Sequence, residues 1–217
     1  MVQTIKAVIF DLDGTLLDTR ADLLRSINHL RAQHTLSPLT AERAVEAIGR
    51  GVEHLVARVL ETSEGASLED EIARFRDHYL AHCTEATEPY PGIPELLDEL
   101  HTLDVKVAVV TNKPQPSAAR LVDELNLAID KVIGAGDETP KKPDPAMLLE
   151  AISVLGVDRR TSIYVGDMDV DLQTARAADC PFIGVDFGFV PNSELPNLTA
   201  VCVDTVDALR RALIERD

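Results

Sequence analysis

Six short stretches rich in valine and isoleucine constrain this chain more than anything else in it: residues 5–10, 105–110, 131–135, 162–165, 182–185 and 200–203. Each ends at a polar or glycine-containing turn. They are apolar almost without interruption rather than in alternation, which suits strands buried on both faces. From the second stretch onward, helical patterns separate them. Leu121, Val122 and Leu125 recur at helical spacing, as do Met147, Leu148, Ala151, Ile152 and Leu155. Strands alternating with helices imply right-handed crossovers, and so predict an α/β fold with a Rossmann-like, doubly wound parallel sheet.

The alternation breaks once, between the first and second strands. From about residue 17 to residue 88 there is no strand-like run, only helical periodicity. Leu23, Leu24, Ile27 and Leu30 line one face, Val52, Leu55, Val56, Val59 and Leu60 a second, and Leu68, Ile72, Phe75 and Tyr79 a third. Ser67 followed by Asp70 and Glu71 marks a helix start before the third stripe. A crossover needs one helix, so this stretch amounts to an inserted helical subdomain. Pro89, Pro91, Gly92 and Pro94 mark the return. The 217 residues then divide into a core of 1–16 and 89–217 and a helical insertion of 17–88.

The polar residues that follow the strands carry the chemistry. The first strand runs into Asp11-Leu12-Asp13-Gly14-Thr15. In extended chain, residues i and i+2 point to one side, so Asp11 and Asp13 can face one site while Gly14 lets the chain turn away. A polar turn is the plain alternative. Two adjacent carboxylates repel, however, and a metal ion or shared proton would relieve that. The fourth strand ends in Gly166-Asp167-Met168-Asp169-Val170-Asp171. Asp169 reads as the acidic start of a helix, whereas Asp167 is the first residue off its strand, as Asp11 is. If these two strands are neighbours, Asp11, Asp13 and Asp167 converge at the sheet's carboxyl end, offering the hard oxygen donors that Mg²⁺ prefers. Opposite polarity comes from Thr111-Asn112-Lys113-Pro114 and from Lys141-Lys142-Pro143-Asp144-Pro145. Lys113 is read as a solvated side chain.

A carboxylate pair, a hydroxyl, a lysine and a third carboxylate, each after a strand and in that order, form a specific pattern. It resembles the haloacid dehalogenase-like hydrolase superfamily, all four of whose motifs have counterparts here. Asp11 to Leu16 matches the first, Thr111 the second, Lys142 before Pro143 the third, and Gly166-Asp167 through Asp171 the fourth. The helical insertion stands where the superfamily's first cap type is placed. The resemblance implies that Asp11 is the nucleophile and forms an aspartyl-phosphate, and that Asp13 is the general acid and base. It implies Mg²⁺ held by Asp11, Asp167 and the Asp13 backbone carbonyl. Thr111, Asn112 and Lys142 would bind substrate, and Asp171 would support Lys142 or the metal's water shell.

Several strings look closest to phosphoglycolate phosphatases: Tyr90 through Leu97, Val110-Thr111-Asn112-Lys113 and Val165-Gly166-Asp167. Ile48-Gly49-Arg50-Gly51 is similar to the cap loop that meets substrate in that family, with Arg50 offered to a carboxylate. Asp144, Met168 and Asp179 depart from the family's habit of histidine, a small hydroxyl residue and glycine. The expected function is thus hydrolysis of a small phosphate ester, 2-phosphoglycolate first. Pyrophosphate, a nucleotide monophosphate, a sugar phosphate or a β-phosphoglucomutase-like transfer are the alternatives. Asp13 argues against a haloacid dehalogenase, which needs no acid there. A phospho-accepting signalling domain is the non-enzyme alternative, and such domains are much shorter.

Lysine and arginine number 21 against 37 aspartates and glutamates, a net charge of −16. That field disfavours nucleic acid and anionic membrane surfaces. It decides nothing for a small ester, because a bound dication inverts the sign locally. No apolar run approaches the ~20 residues that span a bilayer. Cys83, Cys180 and Cys202 are odd in number and widely spaced, which points to reduced thiols and a cytoplasmic setting. The six histidines are read as lacking a metal-ligand spacing. The sequence leaves oligomeric state open.

Overall fold

The structure is a computed structural model that describes residues 4–62, 67–136, 139–189, 195 and 201–215. Its centre is a six-stranded parallel sheet made of β1 (Ala7–Phe10), β4 (Lys106–Pro114), β5 (Lys131–Ala135), β6 (Ser162–Gly166), β7 (Phe182–Val185) and β8 (Cys202–Val203), in the order β5-β4-β1-β6-β7-β8. Ala200, placed in the last strand from sequence, lies outside the described residues. Both faces are covered, which explains the unbroken hydrophobicity of the strands. In β1, Val8 and Phe10 pack on one side with α5 (Ile93–Thr102), α6 (Gln115–Glu124) and α9 (Val206–Ile214). Ala7 and Ile9 pack on the other with α7 (Ala146–Leu155) and α8 (Asp169–Ala177). All four β1 residues are fully buried.

The chain leaves β1 towards β4 and β5 on one side and returns to β6, β7 and β8 on the other. The strand order therefore reverses beside β1, where open sheets of this kind place their ligands. Phe10 pairs with Val109 of β4 and with Val165 of β6. That register sets Asp11 at the sheet's carboxyl edge, with Thr111 and Asp167 one residue further along on either side.

Between β1 and β4 the chain forms α1 (Arg20–Gln33), α2 (Ala41–Val45), α3 (Val52–Val59) and α4 (Glu69–His82). Their predicted stripes pack on one another and are continuous with the core cluster on the α5 side of the sheet. Before α1 and after α4, β2 (Leu17–Asp18) pairs antiparallel with β3 (Glu88–Pro89). The buried Asp22 joins the same two segments. Its Oδ2 accepts from the backbone N–H groups of Ala86 and Thr87 and from the Thr87 hydroxyl, each at 2.9 Å.

One expectation changes here. The histidines are not unrelated: His78 and His82 stand four residues apart on α4, and His29 of α1 stacks on His78 with ring centroids 3.9 Å apart. The His78 ring is held below its usual pKa, first by burial and then by the neighbouring His29 and His82. Among the described residues, only Asp11, Asp167 and Asp171 have ligand atoms grouped closely enough to hold a metal. Asp179, where glycine is usual, does adopt φ +52, a left-handed conformation that aspartate tolerates better than most residues. The cysteines are all free thiols, and no helix among the described residues is long and apolar enough to cross a membrane.

Candidate active site

Asp11 continues β1 by one residue, its N–H donating to the Val165 carbonyl at 2.9 Å. Beyond it the chain curls tightly: the Leu12 carbonyl accepts from Leu16 and Leu17 N–H, both at 3.0 Å. Gly14 takes φ +82, and a Cβ there would sit 2.3 Å from Asp167 Oδ2. Only glycine lets this curl press against Asp167.

Asp11, Asp167 and Asp171 are all buried, with carboxylate oxygens within 4.8 Å of one another. Asp167 accepts from the Thr15 hydroxyl and from the Phe189 N–H, each at 3.2 Å. Asp171 is spoken for: Oδ1 lies 2.7 Å from Lys142 Nζ and 2.9 Å from the Tyr164 hydroxyl, while Oδ2 accepts from Met168 N–H at 3.1 Å. Lys142 Nζ also lies 2.7 Å from Asp11 Oδ1, so one ammonium bridges both carboxylates.

One buried lysine among three buried carboxylates leaves net negative charge, and the titration of the group reflects it. Burial pushes the Asp11 carboxyl up to about 6; Lys142 opposes this and Asp171 adds to it. Burial, then Asp171 and Asp11, hold Asp167 well above the usual carboxylate range. Burial works against the Lys142 charge, but Asp11 and Asp171 more than offset it and the pKa is raised. Three buried carboxylates that share one lysine form an acidic group of hard oxygen ligands, which fits a divalent cation such as Mg²⁺.

Thr111, Asn112 and Lys113 come from the far end of β4, which runs past its predicted end at Val110. There the register with β5 jumps, from Thr111 opposite Gly134 to Pro114 opposite Ala135. Such a bulge re-aims side chains. Gly134 makes room for it, since a Cβ there would lie 2.8 Å from the Lys113 carbonyl oxygen. The buried Asn112 accepts from Lys142 N–H at 2.8 Å and donates to the carbonyls of Lys142 and Gly49 at 3.1 and 3.0 Å. Its amide thereby ties the lysine's backbone to the helical insertion.

Lys113 is not solvated, contrary to expectation. Its side chain is 3% exposed, its Nζ donates to both oxygens of Asp13 at 2.8 and 2.9 Å, and it sits 4.4 Å from the Tyr79 ring centroid. Asp13 also accepts from Thr19 at 2.6 Å. The burial of Lys113 and the position of Tyr164 on Asp171 were not legible in the sequence; both depend on how neighbouring elements meet.

These groups share one cavity. Asp11, Asp13, Thr111, Asn112, Lys113 and Lys142 line its floor, and Ile48, Gly49, Val52, Leu55, Phe75 and Tyr79 are prominent in its helical roof. Arg50 is exposed and does not line it, whereas Gly49, Gly51 and Arg76 do. Gly49 takes φ +101, and a Cβ there would meet Met168 Sδ at 2.3 Å, so the loop's close approach is to Met168. Asp144 serves locally, its Oδ1 accepting from Ala146 N–H at 2.9 Å.

A doubly wound sheet that gathers carboxylates, a hydroxyl and a lysine at its switch point, beneath inserted helices, defines a Rossmann-like α/β core with a strand-end acidic site. The sequence profile of the haloacid dehalogenase-like hydrolases matches residues 8–185, and the chain belongs to that family. It is 39% identical to a phosphoglycolate phosphatase from Agrobacterium fabrum, over 96% of this chain and 92% of that protein. It is 34% identical to an N-acetylmuramic acid 6-phosphate phosphatase from Pseudomonas aeruginosa, over 97% of each. Among solved structures, a candidate phosphoglycolate phosphatase from Lactobacillus delbrueckii subsp. bulgaricus superimposes with a TM-score of 0.88 at 35% identity, over 98% of this chain and all of that one.

Proposed function

We propose that the chain is a Mg²⁺-dependent phosphomonoester hydrolase that converts 2-phosphoglycolate to glycolate and phosphate through an aspartyl-phosphate. The observation that carries this reading is the convergence of Asp11, Asp13, Thr111 and Lys142 on one cavity in a chain of this family. Relatives named for phosphoglycolate support the substrate. The core of 1–16 and 89–217 supplies the chemistry, and residues 17–88 act as a cap over it. A cytoplasmic setting fits the free thiols.

Asp11 attacks phosphorus while the ester oxygen leaves with a proton from Asp13, so the P–O ester bond breaks as the Asp11–phosphate bond forms. Asp13 then takes a proton from water, which attacks the same phosphorus and returns Asp11 as a carboxylate with release of phosphate. Two easier steps replace one hard one. Lys142 and Thr111 hold phosphoryl oxygens and offset their charge, the larger share of catalysis in phosphoryl transfer. Asp171, Tyr164 and Asn112 act at one remove by fixing Lys142. Asp11, Asp167 and the Asp13 backbone carbonyl would hold Mg²⁺, which when bound neutralises charge on the transferring group and between the carboxylates. Arg50 would reach substrate only through movement of the cap.

A phosphate-release panel with Mg²⁺ tests the substrate. It sets 2-phosphoglycolate against N-acetylmuramic acid 6-phosphate, pyrophosphate, a nucleotide monophosphate and β-glucose 1-phosphate. The highest kcat/KM is expected for 2-phosphoglycolate. A higher value for any other member replaces the substrate and leaves the phosphatase reading in place.

A further inference from the structure

We propose that Lys113 is the specificity-determining cation of this site, receiving a carboxylate carried on the leaving-group side of the phosphate ester. The inference rests on the phosphatase reading above and names the class of substrate: phosphate esters of small carboxylic acids.

Lys113 is brought to the cavity by a bulge rather than by regular strand geometry, and Gly134 is shaped to allow it. It is a buried cation whose only carboxylate partner among the described residues is Asp13. A lysine ammonium has three donors, and Asp13 takes two. Asp13 stands where the ester oxygen departs. In 2-phosphoglycolate the carboxylate carbon is two bonds from that oxygen, within reach of the ammonium that touches Asp13. The Tyr79 ring face against Lys113 further favours keeping a cation there.

The other cations are placed for different work. Lys142 is fixed between Asp11 and Asp171. Arg50 does not line the cavity, and Lys141 pairs with Glu53. Arg76 does line it, with its guanidinium 3.3 Å from the same Glu53. Two of the relatives are named for phosphate esters that also bear a carboxylic acid, phosphoglycolate and N-acetylmuramic acid 6-phosphate. In phosphoglycolate that acid stands next to the ester carbon, where a cation beside Asp13 meets it, whereas in N-acetylmuramic acid 6-phosphate it lies across the sugar ring, so the placement of Lys113 favours the former.

The test compares kcat/KM for 2-phosphoglycolate and for ethyl phosphate, which lacks the carboxylate, in the wild type and in Lys113→Met, Lys113→Arg and Arg76→Gln. Wild type is expected to prefer 2-phosphoglycolate. Lys113→Met loses its contact with Asp13 as well, so both substrates slow. The preference should nevertheless shrink by about 10–100-fold, the worth of one charge-assisted hydrogen bond, with the larger change in KM for 2-phosphoglycolate. Lys113→Arg should restore part of the preference. Parallel losses on both substrates would reduce Lys113 to a positioning residue for Asp13 and overturn the proposal. Collapse of the preference in Arg76→Gln instead would move the carboxylate site to the cap. A wild type with no preference would overturn the substrate reading itself, an outcome distinct from preference retained by Lys113→Met.

Discussion

The floor and the roof of the cavity are built differently. Strand ends hold the floor, and its charged groups are fixed by β1, β4 and β6 through backbone register and by one another. The roof is helical, apolar over much of its lining, and set by side-chain packing between α1, α3 and α4. A strand end in a parallel sheet has little freedom, so a residue just past it projects predictably. A loop between packed helices has more, and which of its residues faces the cavity depends on the packing. Under the proposed function, that difference puts chemistry on the floor and selectivity at the border between floor and roof.

That division can be broken most severely at Asp11. Asp11→Asn should lower kcat by roughly 10⁴-fold or more, as loss of a covalent nucleophile does, while circular dichroism shows an intact fold. Residual activity near wild type would remove the floor's central role. Lys142→Met should be the largest stability change. It leaves Asp11 and Asp171 buried beside each other without their cation, which costs about 3–5 kcal/mol. Urea denaturation with a chelator present reads it directly.

A third test uses pH and metal together. Asp11 is raised from 3.8 to about 6 in the folded chain, so the metal-free native state binds that proton more tightly than the unfolded state. Its contribution to stability is present below the unfolded pKa and is lost as pH rises through about 6. The Tm of chelated protein should therefore fall between about pH 5 and pH 7, and the rise in Tm on adding Mg²⁺ should grow over that window. An equal Mg²⁺ effect at both ends would break the link between the acidic group and the cation. The smallest effect is expected in the roof. Arg50→Ala should change KM by less than about threefold, in line with a surface substitution. A large increase would show that the cap closes further and brings Arg50 to the substrate.

How much was legible in the sequence follows the same boundary. Asp11, Thr111 and Asp167 could be placed because an unbroken Val/Ile run locates a buried strand and its end locates the site. Lys142 could be placed through the Lys-Pro string. Lys113 was misplaced because a bulge extends β4 past Val110 and turns its side chain inward, and no local pattern announces a bulge. Asn112 was read as a substrate group, but its amide is occupied by Lys142 and Gly49, partners distant in sequence. His78 and His82 were readable as a pair from their four-residue spacing, but the stacking of His29 on His78 depends on α1 meeting α4.

The claim that Asp11 accepts the phosphoryl group has a direct measurement. The protein is mixed with 2-phosphoglycolate and Mg²⁺, quenched within one turnover and treated with hydroxylamine, which converts an acyl phosphate to a hydroxamate; the peptides are then mapped by mass spectrometry. A hydroxamate on Asp11, absent without substrate and absent in Asp11→Asn, is the predicted result. Turnover with no modified residue, or with the modification on another carboxylate, would contradict it.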